Sequence, residues 1–211
     1  MKTRRIIIAD DHPIIRKGLK DILDEISDVE VADEVENGFD LLKKLENDSY
    51  DLIILDISMP GMSGLDAIRQ IRALYGRVNI LVFTIYSEEH YAIRFLKAGA
   101  SGYVNKESDA IVIIEAINTA LMGGMYYSKE ILEKYVASKN RNFASSPHEL
   151  LSNREYEVML LIASGKRMTY IATELMISVK TVSTHKMRIF EKMNINSNSD
   201  LTQYASENNI L

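Results

Sequence analysis

Four short apolar runs in the amino-terminal half of the chain are followed by polar residues that suit phosphate or a metal ion. The runs are residues 6–9, 52–55, 80–83 and 102–104. Asp10 and Asp11 follow the first run, Asp56 follows the second, Thr84 follows the third, and Lys106 comes two residues after the fourth. If the runs are parallel strands of one sheet, their carboxyl ends lie along one edge, where open α/β sheets bind ligands. The residue types then predict a magnesium-assisted transfer of a phosphoryl group to a protein side chain.

Each of these residues has a distinct task in that chemistry. Asp56 is the predicted acceptor, because a carboxylate can attack phosphorus when a cation offsets the repulsion between the anions. Asp10 and Asp11 supply hard oxygen ligands for Mg²⁺. Lys106 offers a positive charge and Thr84 a hydroxyl to the phosphoryl oxygens. Taken singly, such residues are more often turn, strand or solvated residues, so the prediction depends on their joint occurrence at four strand ends.

The elements that must position these residues are repeated strand–helix units over residues 1–122. Apolar periodicity predicts five strands, the second at residues 29–32, alternating with five helices. Pro13 is placed near the start of the first helix, where its missing N–H costs little. Short connections between the units favour a doubly wound α/β sandwich of three layers.

The composition changes after residue 122. A short helix is predicted near residues 128–136, and the polar stretch 138–147 lacks periodicity and predicts a flexible linker. Residues 148–211 contain only helical patterns. We therefore predict an α/β phosphoacceptor domain at 1–122, a linker with a short helix at 123–147, and a smaller all-α domain at 148–211.

Charge and composition limit the possible partners. The net charge is −5, yet residues 165–193 contain six lysines and arginines against two acids. Such a basic stripe suggests contact with a polyanion, although a hydrated face is an equally weighted alternative on charge alone. Cysteine is absent, which excludes disulfides and fits a cytoplasmic protein. The chain lacks an apolar stretch of about 18 residues, which argues against insertion in a membrane.

The carboxyl-terminal helices have the pattern of a DNA-binding helix-turn-helix. Helices are predicted at 149–163, 169–176 and 178–193, and Ser178 is a natural N-cap for the third, whose polar and basic side would enter the major groove. A small helical bundle with an ordinary hydrated face is about equally compatible with the pattern. The basic residues would contact phosphates, and Ser183, Thr184 and Met187 would face base edges. The expected DNA contacts are Lys166, Arg167, Lys180, Thr181, Ser183, Thr184, Lys186, Met187, Arg188 and Lys192.

A fourth helix is predicted at about residues 199–208. Its apolar residues Leu201, Tyr204 and Ala205 could form a dimer face or pack on their own domain, and the first alternative is slightly favoured. On the third helix, His185 lies beside the apolar stripe and is expected to be a packed residue. The remaining histidines, His12 among them, are too scattered along the sequence to predict a metal site.

Residues 1–122 resemble the receiver domain of two-component response regulators. The matching positions are the pair Asp10 and Asp11, the segment 56–64, Thr84, and the segment 103–106. The resemblance implies a flavodoxin-like fold with strand order 2-1-3-4-5 and transfer of phosphate to Asp56 from a sensor histidine kinase. It implies Mg²⁺ ligation by Asp11, Asp56 and the backbone carbonyl of Ser58, with Asp10 close by. It also implies that Thr84 and Tyr103 are a switch pair that responds to the phosphoryl group together with Lys106.

The carboxyl-terminal part resembles the LuxR-type helix-turn-helix of the NarL/FixJ response regulators. The matching segments are residues 151–155, 162–165, 171–172 and 177–185. Together the two resemblances cover nearly the whole chain in that family's domain order. They imply a phosphorylation-controlled transcription regulator, not an enzyme, that binds double-stranded DNA and dimerises when phosphorylated.

Two other functions remain possible from the sequence. A Mg²⁺-dependent phosphatase resembling the haloacid dehalogenases needs a second acid two residues after its nucleophile, and this chain has Ser58 at that position. A DNA-binding protein whose first domain serves only for dimerisation or ligand binding is disfavoured by the complete set of acidic, hydroxyl and basic residues.

Overall fold

The computed structural model describes residues 3–76, 78–139, 146–208 and 210, and its contacts divide the chain into two compact units. The units are Met1–Arg141 and Asn142–Leu211. Most of the predicted flexible linker, residues 140–145, lies outside the described residues. The finer division at residues 122 and 147 stays a prediction.

The first unit is built on a parallel five-stranded sheet. Its strands are β1 (Arg4–Ala9), β2 (Val29–Val35), β3 (Leu52–Leu55), β4 (Asn79–Thr84) and β5 (Gly102–Asn105). Their order is β2-β1-β3-β4-β5, which confirms the flavodoxin-like topology that the resemblance implies. All four residues of β3 are buried, as expected for a central strand covered by helices on both faces.

Helices cover both faces of this sheet. They are α1 (Pro13–Leu23), α2 (Gly38–Asn47), α3 (Gly64–Tyr75), α4 (Glu88–Ala98), α5 (Ala110–Leu121) and α6 (Lys129–Lys139). Pro13 occupies the start of α1, as predicted, and Asn37 and Ser63 cap α2 and α3 through their side chains. The five predicted helices and the short sixth helix are therefore present.

Strand β2 extends further than the sequence pattern predicted. The pattern ended at residue 32 because acidic residues follow, whereas the strand continues to Val35. Asp33 pairs with Lys44 and accepts a hydrogen bond from Tyr50. Glu34 accepts a hydrogen bond from Lys20 at 2.6 Å. Ionic partners on the neighbouring helices therefore allow acidic residues in this edge strand.

The segment after α5 lies along the edge of β5. The Tyr103 N–H donates to the carbonyl of Tyr126 at 3.0 Å, and the Tyr126 N–H donates to the carbonyl of Ser101 at 2.9 Å. At the start of α6 the Ser128 N–H donates to the Glu88 carboxylate at 2.8 Å, and α6 packs on α4. Residues up to α6 thus belong structurally to the first unit.

The second unit is entirely helical. After a 3-10 turn at Pro147–Leu150 come α7 (Asn153–Ala163), α8 (Met168–Glu174), α9 (Val179–Met193) and α10 (Asn198–Glu207). Ser152 and Glu155 form a reciprocal capping box, so α7 begins at Asn153, and residues 149–150 of the predicted helical stretch belong to the 3-10 turn. Ser178 caps α9 as predicted, by accepting a hydrogen bond from the Thr181 N–H.

The apolar side of α10 packs within its own unit. Leu201 and Ala205 are fully buried, α10 packs on α7, and the Tyr204 hydroxyl lies 2.8 Å from His148 Nδ1. The slightly favoured assignment of these residues to a dimer face is therefore wrong. A helical unit this small needs the fourth helix to complete its core.

Candidate functional site

The carboxyl ends of the strands bring the predicted acceptor residues together. Asp10 follows β1, Asp56 follows β3, and both carboxylates are almost fully buried, with 1% and 2% exposure. Lys106 follows β5, and its Nζ lies 2.6 Å from Asp10 Oδ2 and 2.8 Å from Asp56 Oδ2. One ammonium therefore bridges two buried carboxylates that follow separate strands, and it offsets only part of their negative charge.

The loop after β3 orients Asp56. The backbone N–H of Ser58 donates to Asp56 Oδ1 at 3.0 Å, while Oδ2 accepts from Lys106. Burial raises the pKa of Asp56 above its ordinary value, the lysine and the Ser58 N–H act against that rise, and the charge on Asp10 adds to it. The carboxylate is held in place by two donors and has little freedom to rotate.

A group of possible metal ligands lies at the same place. One ligand atom each from Asp10, Asp11, His12 and Asp56 lies within 4.8 Å of the others. Three of the four residues are carboxylates, and such hard oxygen donors fit Mg²⁺. Crowding of three acids also favours a divalent cation, since like charges at this spacing repel. The donor set therefore fits the implied metal, and Ser58 lies in the adjoining loop.

His12 is the one residue of this group that sequence reasoning set aside. Its Nδ1 lies 2.9 Å from Asp11 Oδ1 and 3.2 Å from Asp10 Oδ1, and its backbone N–H donates to Asp10 Oδ1 at 2.9 Å. The available signal was its position directly after the acidic pair. Grouping His12 with histidines far away in the sequence, instead of with the adjacent Asp10 and Asp11, led to the prediction that it is not part of a metal site.

The predicted switch residues lie on β4 and β5. Thr84 is fully buried, and its hydroxyl has no hydrogen-bond partner among the residues that the structure describes. In the register of β3 and β4, Leu55 pairs with Val82, so Asp56 and Thr84 lie at neighbouring strand ends. Tyr103 is buried, and its hydroxyl donates to the carbonyl of Tyr86 at 3.1 Å. Burial raises the pKa of the Tyr103 hydroxyl, which therefore stays protonated.

Helix α9 has one side in the core of the second unit and one side in solvent. Val182, Ile189 and Met193 are buried, and His185 is half-buried beside them, as expected. Burial lowers the pKa of His185, which favours its neutral form. The ten predicted DNA contacts lie on this helix or just before α8.

All ten residues have side chains that are at least partly exposed in the second unit, and nine of them have no ion pair with a neighbouring helix among the described residues. Of these nine, the exposed ones are Lys166, Arg167, Lys180, Ser183, Met187 and Arg188, and the half-buried ones are Thr181, Thr184 and Lys186. Two ammonium groups lie over aromatic rings. The Nζ atom of Lys166 is 5.3 Å from the centre of the Tyr170 ring, and that of Lys186 is 5.0 Å from the centre of the Phe190 ring. The exposed surface is polar and basic, as the sequence predicted.

The tenth residue, Lys192, has an internal partner. Its Nζ lies 2.7 Å from Glu155 Oε2, and the Glu155 side chain is only 4% exposed. The same oxygen accepts a hydrogen bond from the Ser152 N–H at 2.8 Å. The ammonium of Lys192 is therefore engaged in holding α9 to α7.

An acidic phosphoacceptor pocket on a doubly wound sheet, followed by a helix-turn-helix unit, defines a class of DNA-binding signalling proteins. Residues 6–118 match the family model of the response regulator receiver domain, and residues 149–205 match that of the bacterial regulatory proteins of the luxR family. The chain therefore belongs to the response regulators with a LuxR-type helix-turn-helix, the NarL/FixJ family. The matches confirm the resemblance, the fold class and the general function of a DNA-binding response regulator.

Relatives match over almost their whole length. The chain is 35% identical over 214 residues to the oxygen regulatory protein NreC of Staphylococcus carnosus, covering 98% of this chain and 99% of that protein. It is 32% identical over 201 residues to the response regulator UvrY of Escherichia coli K12, covering 95% and 92%. Both alignments therefore extend across the receiver region and the helix-turn-helix region of this chain.

Solved structures of response regulators have the same architecture. RcsB of Salmonella typhimurium matches with a TM-score of 0.60 and 29% identity, over 98% of this chain and 99% of that one. RcsB of Salmonella enterica serovar Typhimurium, bound to promoter P1flhDC in the presence of the phosphomimetic BeF3⁻, matches with a TM-score of 0.60 and 29% identity, over 98% and 100%. Across the ranges described for this chain, every helix is too short or too polar to cross a bilayer.

Proposed function

We propose that Asp56 accepts a phosphoryl group from the phosphohistidine of a sensor histidine kinase, and that the resulting acyl phosphate controls DNA binding by α9. In this step a carboxylate oxygen of Asp56 attacks phosphorus, the P–N bond breaks, and the imidazole leaves with the electron pair. The observation that carries the proposal is the convergence of buried Asp56, Lys106 and Thr84 at one sheet edge, where the Thr84 hydroxyl has no hydrogen-bond partner among the described residues.

The acidic residues support a magnesium-dependent transfer. Asp11, Asp56 and the backbone carbonyl of Ser58 are the proposed Mg²⁺ ligands, with Asp10 close by. A bound Mg²⁺ would offset the repulsion between the acceptor carboxylate and the incoming phosphoryl group. Lys106 already contacts the acceptor oxygen at 2.8 Å, so its ammonium is placed to pair with a phosphoryl oxygen as well.

The switch follows from partners that exist only after phosphorylation. A phosphoryl group adds negative charge and strong acceptor oxygens. The Thr84 hydroxyl then gains a hydrogen-bond acceptor, and this differential contact biases the unit towards a second conformation. Tyr103 is the second proposed switch residue, since its backbone lies between β4 and the segment that leads to α6.

The second unit is proposed to bind double-stranded DNA with α9 in the major groove. The proposed contacts are Lys166, Arg167, Lys180, Thr181, Ser183, Thr184, Lys186, Met187 and Arg188, and we omit Lys192 because Glu155 holds it. Solved structures of the relative RcsB include dimers bound to DNA, which supports binding as a homodimer. We further propose that the protein acts in the cytoplasm.

A gel-shift experiment with matched variants tests the proposal. Beryllofluoride with Mg²⁺, a mimic of the phosphoryl group, is added to the full-length protein on genomic DNA fragments. We expect at least one fragment to be retained more strongly by the activated wild-type protein. Asp56→Asn should give no response, because the acceptor oxygen is lost, whereas Asp21→Asn, an exposed carboxylate on α1, should respond like the wild type. A full response from Asp56→Asn would refute the assignment of the acceptor.

A further inference from the structure

Three positions on the outward side of α9 are the ones that would meet base edges. Val182 and Ile189 are fully buried, which fixes the rotation of the helix about its axis. Residues displaced by about half a turn from them face away from the core. Ser183, Thr184 and Met187 lie on that side of the helix, and Met187 is about one turn after the other two. None of the three is an arginine, lysine, asparagine or glutamine, the side chains that bind guanine or adenine through two hydrogen bonds.

The hydroxyl groups near this surface are not equally available. The Thr184 hydroxyl donates to the carbonyl of Lys180 at 3.0 Å, and the Thr181 hydroxyl lies 2.8 Å from Ser178 Oγ in the N-cap. Ser183 is exposed, and its hydroxyl has no side-chain hydrogen bond to any residue that the structure describes. Ser183 is therefore the hydroxyl that is free for a ligand, and Thr184 offers chiefly its methyl group.

Met187 is an apolar side chain in the middle of a polar surface. It is 56% exposed, although it is flanked in sequence by Lys186 and Arg188. It borders a shallow groove that is also lined by Met168 and Phe190. An apolar group that enters the major groove finds one apolar feature on the base edges there, the C5-methyl group of thymine. A flexible thioether adapts readily to such a small partner.

We propose that Met187, with the methyl group of Thr184, contacts the C5-methyl group of a thymine in each half-site. Ser183 supplies the free hydroxyl for the neighbouring base edge. This inference rests on the proposed placement of α9 in the major groove and names the base chemistry that the helix selects. The flanking cations Lys180 and Arg188 then hold the phosphates and fix the depth of the helix.

A thymine-to-uracil scan tests the contact, because uracil differs from thymine only by the missing methyl group. A preferred duplex is first selected from a randomised pool with the full-length protein activated by beryllofluoride and Mg²⁺. Each thymine is then replaced singly by uracil, and affinity is measured by fluorescence anisotropy. We expect one position per half-site at which replacement of thymine by uracil lowers the affinity of the wild-type protein about fourfold. This is the affinity that burial of one methyl group contributes.

Two variants make the result specific. Met187→Ala should bind the thymine duplex more weakly and show no further loss with uracil at that position. Lys180→Ala should weaken binding to both duplexes by the same factor, since a phosphate contact is independent of the base. Circular dichroism confirms that Met187→Ala is folded, which its exposed position favours.

The outcomes separate the two proposals. If Lys180→Ala weakens binding but the wild-type protein is insensitive to every uracil, or if Met187→Ala keeps the full sensitivity, the thymine contact is wrong and the DNA-binding face stands. If neither variant changes the affinity, α9 is not the DNA-binding helix and both proposals fail.

Discussion

At the scale of single residues, the environment of Thr84 indicates a switch function that its residue type alone does not indicate. A buried hydroxyl that has lost its water without gaining a partner costs about 1–3 kcal/mol. Thr84 is fully buried at the end of β4 without a hydrogen-bond partner among the described residues, and Asp56 directly follows the neighbouring strand β3. The cost is recovered only when an acceptor arrives, which is the property that a phosphoryl-dependent switch requires.

This argument predicts two effects of Thr84→Val, which keeps the shape and removes the hydroxyl. The unmodified protein should unfold at an equal or higher denaturant concentration, with a gain of up to about 1 kcal/mol in free energy of unfolding, because an unsatisfied polar group is removed. The increase in DNA binding on addition of beryllofluoride should be strongly reduced. Urea unfolding and gel shifts measure the two effects on the same preparations.

Thr119→Val is the matched control. Its hydroxyl donates to the carbonyl of Glu115 at 2.8 Å, so its removal should not stabilise the protein, and the response to beryllofluoride should persist. A Thr84→Val protein that is destabilised by more than about 1 kcal/mol and still responds fully would show that the hydroxyl is a structural group.

At the scale of elements, an ion pair between a buried carboxylate and a partly exposed lysine joins α7 to α9. Glu155 lies in the first turn of α7 and Lys192 in the last turn of α9, and their charged atoms are 2.7 Å apart. Burial by itself would raise the pKa of Glu155, but the hydrogen bonds from Lys192 and from the Ser152 N–H outweigh it and lower the pKa below its ordinary value. The pair therefore stabilises the folded state only while Glu155 is ionised.

Lys192→Met should destabilise the second unit by about 1–2 kcal/mol at neutral pH, because a nearly buried carboxylate loses its partner. A depressed pKa in the folded state contributes stability above the unfolded pKa, near 4.5, and that contribution is lost as the pH falls through the folded pKa. The difference between variant and wild type should therefore shrink below about pH 4. Urea unfolding of the fragment 142–211 at several pH values measures it.

Lys180→Met provides the control on the same helix, since Lys180 is exposed and methionine has a similar helix propensity. It should change the free energy of unfolding by less than about 0.5 kcal/mol at any pH. If Lys192→Met costs as much at pH 3 as at pH 7, the ion pair is not what holds α9 to α7.

The sequence predicted the elements of both units but not the contacts that join distant segments. The ends of β1, β3, β4 and β5 follow from local chemistry to within one residue. The start of α1 at Pro13 and the cap of α9 at Ser178 follow from it as well. The local pattern of Ser152 and Glu155 indicates only a capping box, because nothing in it points to a lysine 37 positions after Glu155. The hydrogen bonds of Tyr126 along β5 could not be predicted from the sequence either, because they depend on which strand forms the edge of the sheet.

At the scale of the whole molecule, the two units differ in charge. Residues 1–141 carry 18 lysines and arginines against 23 acidic residues, whereas residues 142–211 carry seven of each. In the second unit the cations are concentrated between residues 165 and 193, so the unit presents a basic surface despite its zero net charge. The first unit has a net charge of −5 and is covalently linked to this basic surface. Its charge therefore repels approaching DNA over distances of about one Debye length.

We therefore expect the fragment 142–211 to bind a short non-specific duplex more tightly than the unactivated full-length chain at low salt, by about twofold to fivefold. A duplex of about 12 base pairs leaves room for one copy at most, which removes any contribution from dimerisation. Fluorescence anisotropy over a series of salt concentrations should give affinities that converge as the tethered charge is screened. Tighter binding by the full-length chain at every salt concentration would mean that the first unit itself contacts DNA.

The salt dependence of the fragment also reports its number of phosphate contacts. With four or five such contacts, a plot of the logarithm of the fragment's affinity against the logarithm of salt concentration should have a slope of about −4. Lys180→Ala in the fragment should make that slope shallower by about one, because one phosphate contact is lost.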